Sequence, residues 1–278
     1  MKEFFREAIR QALLRFAPRT LCRIMAKRIG YPDIEMRLIP TLCDASGISI
    51  DVGAAGGRYT YLLLVQGSRC MSFEPRPEAA DRMRENLSRH PGAQVEVVAL
   101  SDRSGTTTLR ILKEDLGRST IDPHNRLEAR GAVEEITVPI RPLSSYTFDG
   151  PVQFIKVDVE GHESEVLQGA WELLSRDHPS LIIEIEDRHR KGALAEVPTS
   201  LAELGYQGFF VWEGRIKSLI EFEADSHQAS SRLTNRDKYV NNFIFAADTK
   251  KVATLNRMME TGTDIRHLPP RRRAPKPF

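Results

Sequence analysis

Cysteine is scarce in this 278-residue chain: Cys22, Cys43 and Cys70 stand far apart, odd in number and without a CxxC pair. That excludes a disulfide framework or a clustered thiolate zinc site and suits reduced thiols. Long apolar runs are missing as well. No stretch approaches the roughly 18 consecutive apolar residues of a transmembrane helix. Met1 to Arg6 does not lead into an apolar signal core with a cleavage site, so the expected location is the cytoplasm. There is no Gly-Lys-Ser/Thr phosphate loop, no complete G-x-G-x-x-G turn and no Tyr-x-x-x-Lys pair. These absences argue against a P-loop NTPase and against a NAD or nucleotide-sugar enzyme.

The formal net charge of +2 hides an uneven distribution. Residues 1–29 carry eight Lys/Arg against two Glu, and residues 249–278 carry eight against Glu260 and Asp264, leaving the middle acidic. Basic ends make RNA or another anionic partner the rival reading to an enzyme. The acidic body and the lack of clustered aromatics speak against it, so no nucleic acid is expected. The basic N-terminal helix remains a candidate contact for a membrane surface or a partner enzyme, although packing on the core explains its apolar positions equally well.

Along the chain, apolar residues recur at helical spacing over 2–29, interrupted by Pro18. Strands and helices then alternate. Apolar runs at 48–52, 70–74, 95–100, 154–159 and 180–185 read as strands, with helices over 58–66, 78–89, 163–175 and near 199–204. Segments 106–112 and 135–140 read as an antiparallel excursion around a polar loop, 113–133, and 208–212 and 242–247 as two late strands. The pattern predicts an α/β fold: a doubly wound, mostly parallel sheet, Rossmann-like, with an antiparallel edge strand and an N-terminal helical extension. The expected organisation is a helical extension over 1–45, a catalytic domain over 46–248 and a basic, disordered Pro- and Arg-rich tail over 249–278. Oligomeric state is left open.

Ligands of such sheets bind at the carboxyl ends of the strands. The first strand ends in Asp51-x-Gly53-x-x-Gly56-Gly57, and the second in Glu74, 23 residues after Asp51. An acid about 20 residues past a glycine loop accepts hydrogen bonds from ribose hydroxyls, which points to a nucleoside. Asp51 in front of the loop would repel a pyrophosphate but suits the cationic methionine end of S-adenosylmethionine. Asp102, after the third strand, either accepts from an adenine amine or caps a turn. The strongest local signal is Ile155-Lys156-Val157-Asp158-Val159-Glu160-Gly161-His162-Glu163, where two charges of equal parity sit in a central strand that ordinarily avoids them. They imply mutual pairing, a ligand, or both.

These segments together resemble the FkbM family of methyltransferases. The matching stretches are Ile50 to Gly57, Phe73-Glu74-Pro75-Arg76-Pro77, Ala99-Leu100-Ser101-Asp102, Lys156 to Glu163 with Val166 to Ala170, and Pro179 to Glu184, within roughly residues 47–187. The resemblance implies a class I methyltransferase fold, S-adenosylmethionine as donor, and a hydroxyl acceptor on a sugar, glycan or small natural product. The cofactor contacts expected on that basis are Asp51, Gly53, Ala55, Gly57, Thr60, Glu74, Pro75, Ser101, Asp102 and Asp158. Ala55 departs from the family pattern, which usually has Asn there. Removing a hydroxyl proton calls for a base near the fourth and fifth strand ends. Asp158 ranks first, with His162 and His189 behind it, and Glu186 lies in the same loop as His189. Glu160 and Glu184, with Arg118 and Ser119 from the 113–133 loop, are the expected acceptor contacts, and His124 lies on that loop too. Asp158, Glu160 and Glu184 carry hard-cation donors, but a sulfonium needs no metal and none is assigned.

Overall fold

The computed structural model describes residues 2–45, 47–115, 117–233 and 238–268. The chain opens with α1 (Lys2–Phe16) and α2 (Pro18–Ile29), divided at Ala17 because Pro18 starts the second helix without an amide hydrogen to donate. A 3₁₀ turn (Ile34–Leu38) runs into α3 (Ile39–Leu42). Then come β1 (Ile48–Val52), α4 (Arg58–Gln66), β2 (Arg69–Phe73), α5 (Pro77–Leu87), β3 (Ala93–Glu96) and β4 (Ala99–Leu100). The excursion is β5 (Gly105–Leu112), β6 (Ser119–Thr120) and β7 (Val133–Arg141). The second half holds β8 (Val152–Val157), α6 (Glu163–Gly169), α7 (Trp171–Asp177), β9 (Ser180–Glu184), α8 (Ala193–Glu203), β10 (Gln207–Trp212), β11 (Arg215–Ser218), α9 (Ala224–His227), β12 (Asn242–Ala246) and α10 (Thr249–Glu260).

The main sheet has the order β11-β10-β12-β9-β8-β1-β2-β3, with β3, β2, β1, β8 and β9 parallel and β12 antiparallel between β9 and β10. Order reverses between β1 and β8, which is where a doubly wound sheet opens its ligand crevice. A smaller sheet, β4-β7-β5-β6, stands beside it. Strand parity divides the core into two layers. Phe154 and Ile182 face Tyr61, Cys22, Leu38 and Leu255, whereas Ile155, Leu181 and Ile183 face Val166, Leu174 and Leu201. The three cysteines are free and buried, and burial pushes the Cys22 thiol up to about 12, so it is inert as a nucleophile. Among the described residues no helix is long and apolar enough to cross a membrane.

Three expectations need correction. The run 95–100 is not one strand: β3 ends the main sheet at Glu96, and β4 restarts at Ala99 against β7 of the smaller sheet. The helix expected over 163–175 breaks at Ala170 into α6 and α7. The tail is not disordered from 249 onward. Asp248 caps α10 by accepting from the Lys250 and Lys251 amides, Leu255 and Ile265 are fully buried, and Asp264 bridges to Arg215. Sequence bias there is real, but the apolar positions Val252, Leu255 and Met259 give the segment a face to bury against the core. The Pro- and Arg-rich stretch 269–278 lies outside the described residues.

A docked α10 predicts that Leu255→Ala costs about 2–4 kcal/mol of stability, read from urea unfolding. A solvated tail would leave the midpoint unmoved.

Candidate functional site

The site is built where β1 and β8 end side by side. Gly53 has φ +75°, and a Cβ there would meet the Asp158 carbonyl oxygen at 1.8 Å, so only glycine allows the two strand ends to close on each other. Asp51, opposite Lys156 in register, is buried beneath this junction. Its Oδ2 accepts from the Thr60 amide at 2.9 Å and the Thr60 hydroxyl at 2.6 Å, which ties the acid to the start of α4. Glu74, at the end of β2, accepts from the Ala55 amide (2.6 Å), the Arg76 amide (3.0 Å) and Arg76 Nε (2.8 Å). The acid is thereby held rigidly; Oε1 takes both Arg76 hydrogen bonds, while Oε2 keeps lone-pair capacity for a ligand hydroxyl. Ala55 has φ +49°, a left-handed conformation that Asn tolerates better than Ala.

A cavity opens between this loop and the smaller sheet. Phe73, Val98, Leu100, Leu109 and Ile121 give it apolar walls, and Glu74 stands on its rim with Gly53, Pro75 and Ser119. Apolar walls, with Glu74 on one side and Asp158 and Glu160 on another, suit a flat base joined to a hydroxylated sugar. Gly53, Ala55, Asp158 and Glu160 also line a larger cleft that continues past Asp51, Lys156, Glu184 and Glu186 to Asp33 and Glu35 of the N-terminal segment.

The lining of that cleft sets eight acids against eight cations, but seven of the cations are arginines, and the inner group around Lys156 is lopsided. Lys156 Nζ, almost fully enclosed, donates to Asn242 Oδ1 (2.9 Å) and lies 3.6 Å from Asp158 Oδ2. Burial works to lower its pKa, but Asp158, Glu184, Asp33 and Asp51 outweigh that and hold it protonated. One ammonium cannot satisfy so many carboxylates. Burial raises Asp51 to about 6 against the Thr60 hydrogen bonds, and Glu35 to about 8. Glu184 is pushed well up by burial and by Asp158. Asp158, whose side chain stays about 35% exposed, is also raised, by burial under the rim and by Glu160 against the pull of Lys156. The acids around Lys156 resist further negative charge and favour a cation or a proton.

The segment after β8 is braced from the 113–133 loop. Glu160 has φ +54°, and its carbonyl accepts from Thr120 Oγ1 (2.9 Å) and Asn125 Nδ2 (2.7 Å). His189 Nε2 lies 3.0 Å from Glu160 Oε2, off the hydrogen-bonding line. That contact overrides burial and brings the Glu160 carboxyl below its usual range. His162 is spent differently. Its Nε2 is 2.9 Å from Ser101 Oγ and its Nδ1 faces Glu165 Oε2 at 3.5 Å, while burial lowers its pKa. Asp122, His162 and Glu165 place ligand atoms within 4.8 Å of one another, but the Arg190 guanidinium already holds Glu165 at 2.7 Å and supplies the positive charge there.

The structure thus brings together Asp51, Gly53, Ala55, Glu74, Pro75, Ser119, Arg118, Asp158, Glu160 and Glu184 on one continuous cavity wall. Four expected cofactor contacts stand behind that wall. Thr60 supports Asp51, Gly57 caps α4, and Ser101 reaches His162. Asp102 accepts from Ser101 Oγ and Arg103 and does not line the cavity. His162 lines the apolar cavity, whereas His189 borders a different pocket. Sequence reasoning missed Thr120, Asn125, Asp33, Glu35, Asn242, and Tyr239, whose hydroxyl donates to Glu186. Asn242 had a signal: a polar residue opening an otherwise apolar strand.

A model of the methyltransferase FkbM domain family matches residues 51–207. The 2-O-methyltransferase NoeI of Sinorhizobium fredii is 28% identical over 158 residues, which are 51% of this chain and 65% of that protein. The hexuronic acid methyltransferase AglP of Haloferax volcanii is 27% identical over 141 residues, 50% of this chain and 56% of that protein. The match therefore spans less than two thirds of either relative. A solved FkbM methyltransferase from Methylobacillus flagellatus superposes with a TM-score of 0.47 at 18% identity, covering 73% of this chain and 44% of that one.

The positive φ at Ala55 predicts that Ala55→Asn stabilises the protein by about 0.5–1 kcal/mol. Chemical denaturation reads this directly, and a stability loss would show that the loop carries no strain to relieve.

Proposed function

Because the chain belongs to the FkbM methyltransferase family, we propose that it is an S-adenosylmethionine-dependent O-methyltransferase acting on a hydroxyl of a sugar, a glycan or a small natural product. The observation that carries this reading is the surplus of buried carboxylates around Lys156, with Asp51, Asp158 and Glu184 all raised. A ligand with a fixed positive charge relieves that surplus, and a pyrophosphate would aggravate it. S-Adenosylmethionine, when bound, supplies a methyl group already activated on a positively charged sulfur. The sugar-modifying names of the NoeI and AglP relatives support the acceptor class.

In this reading Phe73, Val98, Leu100 and Ile121 hold the adenine, and Glu74 accepts from the ribose hydroxyls. Asp51 and Asp158 face the cationic end. Lys156 keeps Asp158 in place and partly ionised through its 3.6 Å contact. The acceptor hydroxyl must lose a proton as it attacks. Glu184, favoured in its ionised form by the donor's positive charge, takes that proton, since burial and Asp158 give it a raised proton affinity. Glu160, kept ionised by His189, is placed to accept a hydrogen bond from a second acceptor hydroxyl. The organisation into a helical extension and a catalytic domain follows the same reading, except that Asp33 and Glu35 of the extension belong to the cleft wall.

Calorimetry tests the donor. Cation binding favours ionised Asp51, whose folded pKa is about 6, so affinity for S-adenosylmethionine is flat above that pH and falls by up to about tenfold per unit below it. Asp51→Asn flattens the profile and weakens binding by at least about tenfold. The same carboxylate, ionised at neutral pH with a raised pKa, costs the ligand-free fold stability that returns as pH falls toward 3.8. The variant therefore unfolds no earlier than the parent without ligand. Tighter binding of NAD than of S-adenosylmethionine would sink the donor assignment.

Glu184→Gln tests the proton acceptor. With labelled donor and a surface-glycan extract, transfer should drop by about 10²–10⁴, with donor affinity within about fivefold of the parent, since one of several carboxylates is removed. A variant with full transfer would move the base elsewhere.

A further inference from the structure

Beyond the cleft, a second pocket opens between residues 123–130 and residues 187–191 after β9. Its wall carries Arg126, Arg130, Arg188, Arg190 and Lys191 against one carboxylate, Asp187, which is committed to the Leu194 amide at 3.1 Å. Two of these cations are already neutralised: Arg188 by Glu186, and Arg190 by Glu165 and Glu196. The other three are not. Arg126 and Lys191 are exposed and meet no carboxylate among the described residues, and Arg130 Nη1 is buried with no hydrogen-bond partner. Burial and the guanidiniums of Arg188 and Arg118 push the Arg130 pKa down against the pull of Glu160 and Glu186.

The pocket is joined to the cleft. Arg188 lines both, Asn125 lines the pocket while holding the Glu160 carbonyl, and His189 lines it with Nε2 against Glu160 Oε2. An anion seated there lies within one molecule's reach of Glu160.

We propose that this pocket binds a phosphoryl group carried by the acceptor, so that the hydroxyl methylated at Asp158 and Glu184 belongs to a phosphorylated or diphosphate-linked sugar. The inference rests on the methyl-transfer reading of the cleft. Three uncompensated cations call for more than one negative charge, and the planar Arg fork matches a phosphoryl group with two parallel hydrogen bonds. The acids around Lys156 and the basic pocket also divide recognition by sign, which keeps the phosphoryl group out of the carboxylate well.

Titration calorimetry with pyrophosphate, glucose 1-phosphate and glucuronate tests this. The parent protein should bind a phosphoryl probe, weakening with added salt. Arg130→Gln, and separately the exposed pair Arg126→Gln with Lys191→Gln, should each reduce binding by about tenfold or more, with S-adenosylmethionine affinity within twofold. The exposed pair guards against misfolding of the Arg130 variant. Preference for pyrophosphate over glucose 1-phosphate identifies a diphosphate-linked sugar, and the reverse a sugar monophosphate. Glucuronate bound as tightly as either overturns the phosphoryl assignment, as does phosphoryl binding unchanged in both variants. Phosphoryl binding in a protein that fails to bind S-adenosylmethionine would sustain the pocket and remove the methyl-transfer reading alone.

Discussion

Lys156 emerges with β8 into the middle of the sheet, fully enclosed, with Asp51 opposite it in register, Asp158 at 3.6 Å, and Glu184, Asp33 and Glu35 close enough to set its protonation. An ammonium in such a place is tolerable only with opposite charge around it, and the fold supplies more than one countercharge requires. For Asp51 and Glu35, both buried, the excess cannot be hydrated away. It can be relieved by protonation, which the raised pKa values of Asp51, Glu35 and Glu184 record, or by a cationic ligand. The ligand-free site is therefore held in a state that binding improves, a common signature of a functional rather than a stabilising charge cluster.

That cluster exists because of topology more than local sequence. Its members come from the N-terminal segment, β1, β8 and β9, and they converge because strand order reverses between β1 and β8. Closure depends on Gly53, which lets the Asp158 carbonyl press against β1. On the other side, Thr120 and Asn125 fix the Glu160 carbonyl, so a residue in the left-handed region is held in place by a loop some 35–40 positions earlier. The acids are thus anchored through backbone, leaving their carboxylates free for chemistry.

Much of this could be read in the sequence, and the failures share a cause. The parallel strands were legible because both faces of each are buried, giving near-continuous apolar runs with glycines and acids at their carboxyl ends. Asp51, Glu74 and Asp158 stood out because charge at such strand ends is expensive without a purpose. The run 95–100 misled because it is apolar throughout. Its division depends on which strand offers an edge, β2 for Val95 and β7 for Ala99. Thr120 and Asn125 were invisible for a related reason: their partner is a backbone carbonyl far along the chain, and a polar loop residue making such a bond looks like one that faces water. Asp33 and Glu35 lay outside the motif-bearing stretch, and α10 hid inside a tail whose basic composition drew attention away from Leu255.

The same surplus of carboxylate bears on catalysis. In the proposed reaction a carboxylate becomes neutral by accepting a proton at the moment positive charge is lost beside it. Both changes reduce the charge confined in a poorly solvated space, so the environment that penalises ionised Glu184 in the resting protein favours the neutral products over the ion pair. In water the same two charges would be well hydrated and would gain less by cancelling. The design has a requirement: at least one carboxylate must remain ionised to hold the cation before transfer. His189 meets it for Glu160, whose carboxyl lies below its usual range, and Lys156 pulls Asp158 the same way against its burial. One buried ammonium and one histidine thus bias which carboxylates hold their charge and which give it up, and the ammonium is fixed by its place on β8.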